Sequence, residues 1–217
     1  MFFGRHPTLK RVCLRSDYGM DALPSVHISL ANLEYYEGDA AFISAIDTIG
    51  LKKIEIFWSQ SARENVDKVI AGIGSITKSN LPFVSSHTYY DDPCEIVTSL
   101  SKHMRHTQTL RLRSFTEYSA ELSQDTVRRI TECLPQFTGL MYLAVRWDDS
   151  EDSFPTLPFA ANKNAVERWG EVCPTLQACC LTGRRSTVDE CNILSTDFGR
   201  LLGFQNLTYD FFTDPRA

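Results

Sequence analysis

A short hydrophobic pattern of the form LxxLxL recurs along the chain, and this pattern limits the possible folds more than any other feature. In the copy TQTLRLRS (107–114), leucines alternate with arginines, so Leu110 and Leu112 would point to one side and Arg111 and Arg113 to the other. Such alternation is typical of a β-strand with one buried face. The copies begin near residues 9, 30, 51, 81, 107, 140, 176 and 204, and Ser86 breaks the third position of the copy at 81.

Stretches with the spacing of amphipathic helices lie between many of these copies. They cover residues 39–50, 62–74, 94–104, 123–134, 163–172 and 189–203. A strand, a turn, a helix and a further parallel strand form the unit of a β/α solenoid. We therefore predict an α/β fold, a leucine-rich-repeat-like solenoid. It would have a curved parallel sheet of about seven to eight short strands, helices on its convex side, and one domain over residues 1–217.

The alternation also predicts which side chains point outward from the concave face of that sheet. Large aromatic residues and arginines on a rigid surface are the residue types that dominate protein–protein contacts. The predicted partner-binding residues are Tyr36, Phe57, His87, Arg111, Arg113 and Arg146. The alternative is that the aromatic residues only cover the sheet. Glu34 and Glu55 would lie towards one end of this face and the arginines towards the other, which would give it opposite charges at its two ends.

Composition limits the classes of function. The 217 residues carry a formal net charge of −5, which disfavours a dedicated nucleic-acid binder, because such domains normally have a basic excess. The seven cysteines are scattered without the paired spacing of a disulfide framework or a zinc finger. The first residues, MFFGRHPTLKR, lack the pattern of a signal peptide, and no window approaches 18 apolar residues. We therefore expect a cytoplasmic or nuclear protein.

Motifs for catalysis or metal binding are weak. The sequence contains none of the patterns GxSxG, GxGxxG, GxxxxGK[ST] or HExxH. His103 and His106 would share a face if helical, and with Cys94 nine residues earlier they could suggest a metal site, but no fourth ligand appears at a diagnostic spacing. Cys179 and Cys180 are adjacent on one strand, with Cys180 expected on the solvent side. We expect no catalytic residue, no cofactor and no metal.

Three segments carry a resemblance to a known family. HPTLKRVCLRS, VERWGEVCPTLQACCL and FTGLMYLAVRW resemble the leucine-rich-repeat portions of fungal F-box-like proteins. In that family an element like Cys173-Pro174-Thr175-Leu176 closes a helix and opens the next strand, and HPTL at 6–9 repeats it. The resemblance implies capture of a protein for ubiquitin transfer. Because the first copy begins at Leu9, we expect no F-box and no direct binding of the ligase adaptor.

The sequence thus predicts a non-enzymatic scaffold that binds a protein partner on its concave face, as the substrate-recognition part of an F-box-like ubiquitin-ligase component. Two alternatives stay open. One is a hydrolase-type enzyme with a pocket at the rim of the solenoid, with His87, Asp91, Asp92 and Cys94 as candidates. The other is a weak nucleic-acid binder that uses Arg111, Arg113 and Arg146.

Overall fold

The computed structural model describes residues 6, 8–16, 27–58, 65–78, 81–89, 92–114, 123–147, 159–183 and 192–195. The first elements are β1 (Arg11–Leu14), β2 (Ile28–Ser29), β3 (Tyr35–Asp39), α1 (Ala40–Ile43), β4 (Ile46–Asp47), β5 (Lys53–Phe57) and α2 (Val66–Ile76). Next are β6 (Phe83–Tyr89), α3 (Pro93–His103), β7 (Thr107–Ser114), α4 (Gln124–Cys133) and a 3-10 turn (Leu134–Gln136). The last are β8 (Tyr142–Trp147), α5 (Phe159–Val172), β9 (Ala178–Gly183) and β10 (Asn192–Ser195).

In the described part of the chain, seven parallel strands form the main sheet, in the order β1-β3-β5-β6-β7-β8-β9, which is also their order along the chain. The predicted α/β class with a parallel sheet is therefore confirmed. An eighth strand, β10, pairs antiparallel with β9. The short strands β2 and β4 pair separately and in parallel. The predicted strand near residue 204 lies outside the described residues.

A repeated turn leads the chain into its strands. It is closed by a backbone hydrogen bond from an amide to the carbonyl three residues earlier, as between Leu9 and His6, Leu33 and Leu30, Thr107 and Met104, and Leu176 and Cys173. Just after several of these turns, one carbonyl accepts two successive amides of the next turn. The carbonyl of Lys10 binds the amides of Glu34 and Tyr35, and that of Met141 binds Gln177 and Ala178. These bonds help to set a common register at the start of the strands.

Side-chain caps begin three of the helices. Asn65 accepts the amide of Lys68 at the start of α2, Asp92 accepts that of Cys94 in α3, and Ser123 accepts that of Thr126 in α4. Helices α2, α3, α4 and α5 then contact one another in chain order. The helices predicted at 62–74, 94–104, 123–134 and 163–172 overlap these four.

Two helix predictions were wrong. The segment 39–50 forms only the four-residue helix α1, which Asp39 does not cap with its side chain, and the chain then extends into β4. There the backbone bonds to β2 replace further helical turns. In the segment 189–203, residues 192–195 form β10, whose bonds to β9 cover an edge that a helix would leave unpaired.

The core lies on one face of the sheet, where alternate strand residues meet the helices in a continuous cluster. On β5, β7, β8 and β9 the residues that the LxxLxL pattern places inward are buried: Ile54, Ile56, Leu110, Leu112, Leu143, Val145, Cys179 and Leu181. Ala144 and Cys180, at outward positions of β8 and β9, are buried as well. Helices contribute Ile70, Ile73, Val97, Leu100, Ile130 and Trp169 to the same cluster. The predicted inward positions are therefore confirmed for these four strands.

The predicted register of β3 was wrong by one residue. Tyr36 was expected on the outer side, but it pairs in register with the buried Val12 and is fully buried. Its hydroxyl donates to the carbonyl of Asp39 at 2.8 Å. The next inward residue is Gly38, where a Cβ atom would lie 1.9 Å from the carbonyl oxygen of Leu14 and 2.8 Å from the hydroxyl of Tyr36. Gly38 also has a φ of +153°, which side chains disfavour.

The same error affects β6. His87 was expected on the outer side but points into the core and is 1% exposed, whereas Val84 was expected inside and is only partly buried. The inward residues of β6 are Phe83, Ser85 and His87. A β-bulge between β6 and β7 pairs Phe83 with Thr107 and then Val84 with Thr109. Because Ser85 and His87 are polar, the apolar alternation does not reveal which face of β6 is buried.

Candidate functional site

The side of the sheet opposite the helix-packed core carries the candidate site, and we call it the outer face. Its side chains align in rows across neighbouring strands. The first row is Arg11, Tyr35, Lys53, Val84, Thr109, Tyr142 and Ala178. The second is Cys13, Glu37, Glu55, Ser86, Arg111, Ala144 and Cys180. The third includes Asp39, Phe57, Thr88, Arg113 and Arg146.

Four of the six predicted partner-binding residues lie on the outer face. Arg111 and Arg113 lie on β7, and Arg146 on β8 is directly in register with Arg113. Phe57 lies on β5, two strands away from β7. Tyr36 and His87 belong to the core, so their burial removes them from this surface.

The part of the outer face formed by β1, β3 and β5 is a self-paired network. Arg15 forms an ion pair with Glu37 at 2.6 Å. The hydroxyl of Tyr35 bonds to Glu37 at 3.0 Å and to Glu55 at 3.1 Å. Burial raises the pKa of Tyr35, and the charge of Glu55 raises it further, so the phenol remains a donor. Burial alone would raise the pKa of Glu37, but the hydrogen bonds from Tyr35 and Arg15 bring it below the usual value.

Cations in this network also lie over aromatic rings. The guanidinium of Arg11 is 4.4 Å from the ring centre of Tyr35, and the ammonium of Lys53 is 4.9 Å from the same centre. The guanidinium of Arg15 is 3.9 Å from the ring centre of Phe57. A partner that contacts Phe57 would therefore contact Arg15 as well.

The charge pattern differs from the expected one. Glu34 precedes β3 and pairs with Lys52 at 3.2 Å and Lys10 at 3.6 Å. The outward carboxylates of β3 and β5 are accompanied by the outward cations of β1 and β5, so this part of the face is close to neutral. On β6, β7 and β8 the charged outward residues are the three arginines. Among the described outward residues, the end formed by β1, β3 and β5 is therefore close to neutral, although the sequence predicted that it is acidic. The described charged residues of β7 and β8 on this face are basic.

We call Arg111, Arg113 and Arg146 the arginine cluster. Arg113 is exposed, and the other two are half-buried. Burial lowers the pKa of Arg111, and the positive charge of Arg146 lowers it further, against an opposing effect of Glu55. Arg111 in turn contributes, after burial, to a lowered pKa of Lys53. Positive charges are thus close enough to repel one another at this part of the face.

Both ring nitrogens of the buried His87 form hydrogen bonds with other side chains. The indole Nε1 of Trp58 donates to its Nδ1 at 3.1 Å, so the ring proton lies on Nε2, which donates to the Ser85 hydroxyl at 2.7 Å. The rings of Trp58 and His87 stack with centres 6.0 Å apart. Burial lowers the pKa of His87 to about 3, so the imidazole is neutral at physiological pH.

The other described residues of the predicted rim pocket have different partners. The thiol of Cys94 approaches the carbonyl of Thr126 at 3.8 Å. Burial raises the pKa of Cys94 to about 12, with Asp92 adding to the effect, which disfavours the nucleophilic thiolate. Asp92 caps α3 and pairs with Arg129. Asp91 lies outside the described residues.

The structure also shows the surroundings of His103, His106 and Cys180, which the sequence raised as candidates for a metal site or a reactive thiol. His103 bonds to Asp67 at 3.3 Å, and the ring of His106 lies edge-on to Phe83. Across the described ranges, no group of three or more His, Cys, Asp or Glu residues is arranged to hold a metal ion. Cys180 lies on the outer side, as its alternation with Cys179 predicts, but it is 3% exposed. None of the helices in the described ranges has the length and apolar character needed to cross a membrane.

Sequence reasoning missed three outward residues, namely Tyr35, Glu37 and Lys53. The signal that could have revealed Tyr35 and Lys53 is a pattern of charge across the strands. When β3 is shifted by one residue, Arg11, Tyr35 and Lys53 align in one row as a cation, an aromatic ring and a second cation. Cross-strand pairs of this kind stabilise a sheet, so they help to identify its register. Comparison with protein-family models, curated proteins and solved structures found no match for this chain.

Proposed function

We propose that this chain is a non-enzymatic scaffold that binds a protein partner on its outer face. The observation that carries the proposal is the alignment of the arginine cluster with outward aromatic side chains on adjoining parallel strands. Tyr35, Phe57 and Tyr142 supply partly buried rings, and arginine and tyrosine are residue types enriched at protein-binding hot spots. Because the strands are held in a continuous ladder, such a surface needs little ordering when it binds.

The proposed architecture is a leucine-rich-repeat-like solenoid. The order of the parallel strands along the chain supports it, as do the repeated turns before them. The segment Cys173–Leu176 ends α5 with a bond from the Cys173 amide to Trp169 and opens β9 with a bond from Leu176 to Cys173. The hydroxyl of Thr175 binds the carbonyl of Leu140 at 2.8 Å, linking this joint to the preceding one. HPTL at 6–9 contains the same type of turn, between Leu9 and His6.

The resemblance to fungal F-box-like proteins gives the proposed role. In that role the outer face would be the substrate-recognition part of an F-box-like ubiquitin-ligase component. The bound partner would be a protein presented for ubiquitin transfer.

A protein partner fits the charges better than a nucleic acid. A phosphate backbone presents many negative charges, and its binding sites normally extend along a basic track. Here the outward arginines lie on β7 and β8, whereas β3 and β5 of the same face carry outward carboxylates, including Glu37 and Glu55. The whole chain also has a net charge of −5.

The test is affinity purification of the chain followed by mass spectrometry, with the captured protein then measured against an outer-face variant. The variant combines Phe57→Ala, Arg113→Ala and Arg146→Ala, and a matched control carries Arg128→Ala on α4, where Arg128 pairs with Asp125 and Glu132. We expect the variant to weaken capture by at least about tenfold, because hot-spot residues carry most of the binding energy. Its circular dichroism should match that of the control. Equal capture by variant and control would refute the proposed surface.

A further inference from the structure

The arginine cluster has a spacing that selects among acidic partners. Arg111 and Arg113 are two residues apart on β7 and point to the same side. Their Cα atoms are therefore about 6.6 Å apart, at roughly 3.3 Å for each residue of a parallel strand. Arg146 is in register with Arg113 on the neighbouring strand, at a strand spacing of about 4.8 Å.

We propose that this cluster binds an extended segment of a partner protein whose carboxylates occur at alternate positions. An extended peptide repeats its side chains on one side at the same spacing of about 6.6 Å. Carboxylates at positions i and i+2 would then reach Arg111 and the Arg113–Arg146 pair at the same time. This inference rests on the proposed function, since it names the kind of protein segment that the outer face takes.

The chemistry of the cluster favours carboxylates. A guanidinium presents a planar fork of donors that matches a carboxylate, and such charge-assisted pairs are the stronger hydrogen bonds. Arg111 and Arg146 are half-buried and lie close enough to repel each other. Each guanidinium has five donors, so a carboxylate could bind some of them beside other partners and would offset this repulsion where water screens charges less than at an open surface.

Small side chains lie next to the arginines on the neighbouring strands. In the row of Arg111, the neighbouring residues are Ser86 on β6 and Ala144 on β8. The outward residues of β6 are Val84, Ser86 and Thr88, so this strand presents no long side chain beside β7. Because Ala144 and Thr88 are buried, an extended segment along β7 would lie over the arginine side chains and bring its carboxylates to them there.

The test uses fluorescein-labelled peptides of equal length and charge, made of glycine, serine and three glutamates. In one peptide the glutamates alternate with single serines, and in the other two serines separate them. Binding is measured by fluorescence anisotropy at low ionic strength. We expect the alternating peptide to bind at least about fivefold more tightly, since only this peptide satisfies two arginine positions together.

Variants connect the preference to the cluster. Arg111→Gln and Arg146→Gln should each weaken binding of the alternating peptide by about three- to tenfold and remove the preference for it. Arg128→Gln, a charge-matched change on α4, should leave both affinities unchanged. Circular dichroism verifies that each variant is folded.

Four results would overturn the inference. These are equal binding of the two glutamate peptides, binding by neither, tighter binding of a peptide with a single phosphoserine, or tighter binding of a single-stranded oligonucleotide. If the outer-face variant loses a captured protein while neither peptide binds, the spacing inference fails and the proposed function stands. If the outer-face variant captures as much as wild type, the proposed function fails as well.

Discussion

At the scale of single residues, His87 is a polar side chain that the core buries almost completely. Its neutral ring links Trp58 and Ser85, two residues that would otherwise bury unpaired donors or acceptors. Unpaired buried polar groups cost about 1–3 kcal/mol each. The imidazole therefore stabilises the fold only while it remains neutral.

Stability should fall in mild acid because of His87. Its pKa is about 3 in the folded chain and 6.5 for a solvated histidine such as the unfolded chain exposes, so below pH 6.5 protons bind the unfolded state preferentially. The stability that the neutral His87 contributes is fully present above pH 6.5 and is lost as the pH falls towards 3. Between pH 7.5 and 5.5 the loss in free energy of unfolding should be about 1.4 kcal/mol.

The measurement is urea unfolding of wild type and His87→Leu at both pH values. At pH 7.5 the variant should be less stable by about 2–3 kcal/mol, because Trp58 and Ser85 lose their partner. At pH 5.5 that difference should shrink by about 1.4 kcal/mol. Burial also lowers the pKa of His106, but this residue is present in both proteins and its effect cancels. A difference independent of pH would contradict a neutral buried His87.

Residues of this kind explain where the sequence was misleading. On β5, β7, β8 and β9, apolar side chains fill the inward positions, so alternation identifies the buried face. On β3 and β6, the inward positions include Gly38, Ser85 and His87, which satisfy close approach or hydrogen bonding and have no hydrophobic signature. Only knowledge of the neighbouring strands reveals them. The arginine cluster was predictable because it lies on strands with a clear apolar phase.

At the scale of elements, Asp92 joins two neighbouring helices. One carboxylate oxygen accepts the amide of Cys94 and caps α3, and the other pairs with Arg129 on α4. Burial alone would raise the pKa of Asp92, but these bonds lower it below the usual value. A single residue therefore begins one helix and fixes its position against the next.

Substitutions at Asp92 should separate the two contributions. Asp92→Ala removes both the cap and the ion pair and should cost about 1–2 kcal/mol, whereas Asp92→Asn keeps an acceptor for the cap and should cost less than about 1 kcal/mol. Urea unfolding of both, alone and combined with Arg129→Ala, measures them. Ser123→Ala is the control, since it removes the cap of α4 without touching this pair. Equal costs of the two Asp92 substitutions would show that the cap contributes nothing.

At the scale of the whole molecule, the parallel strands pair in chain order, and this order has consequences for stability. In a repeat protein each unit contacts mainly its neighbours, so stability is roughly a sum of local and nearest-neighbour contributions. Damage at one end of such a sheet should remain near that end. In a chain that folds as one cooperative unit, the same damage would lower protection everywhere.

Gly38 offers a way to distinguish these behaviours. Gly38→Ala places a Cβ atom against the Leu14 carbonyl and forces alanine into a φ that it disfavours, so it should cost about 3 kcal/mol or more. Gly72→Ala is the matched control, since a Cβ there meets nothing within 4 Å and lies in helix α2. It should be neutral or stabilise by up to about 1 kcal/mol.

Hydrogen exchange detected by mass spectrometry would locate the effect. In Gly38→Ala we expect peptides that cover β1 and β3 to lose protection, because the new clash lies between these two strands. Peptides from β7, β8 and β9 should keep the protection seen in wild type, because β5 and β6 separate those strands from β1 and β3 in the described sheet. An equal loss of protection in β3 and β8 would contradict repeat-like behaviour and, with it, the proposed solenoid.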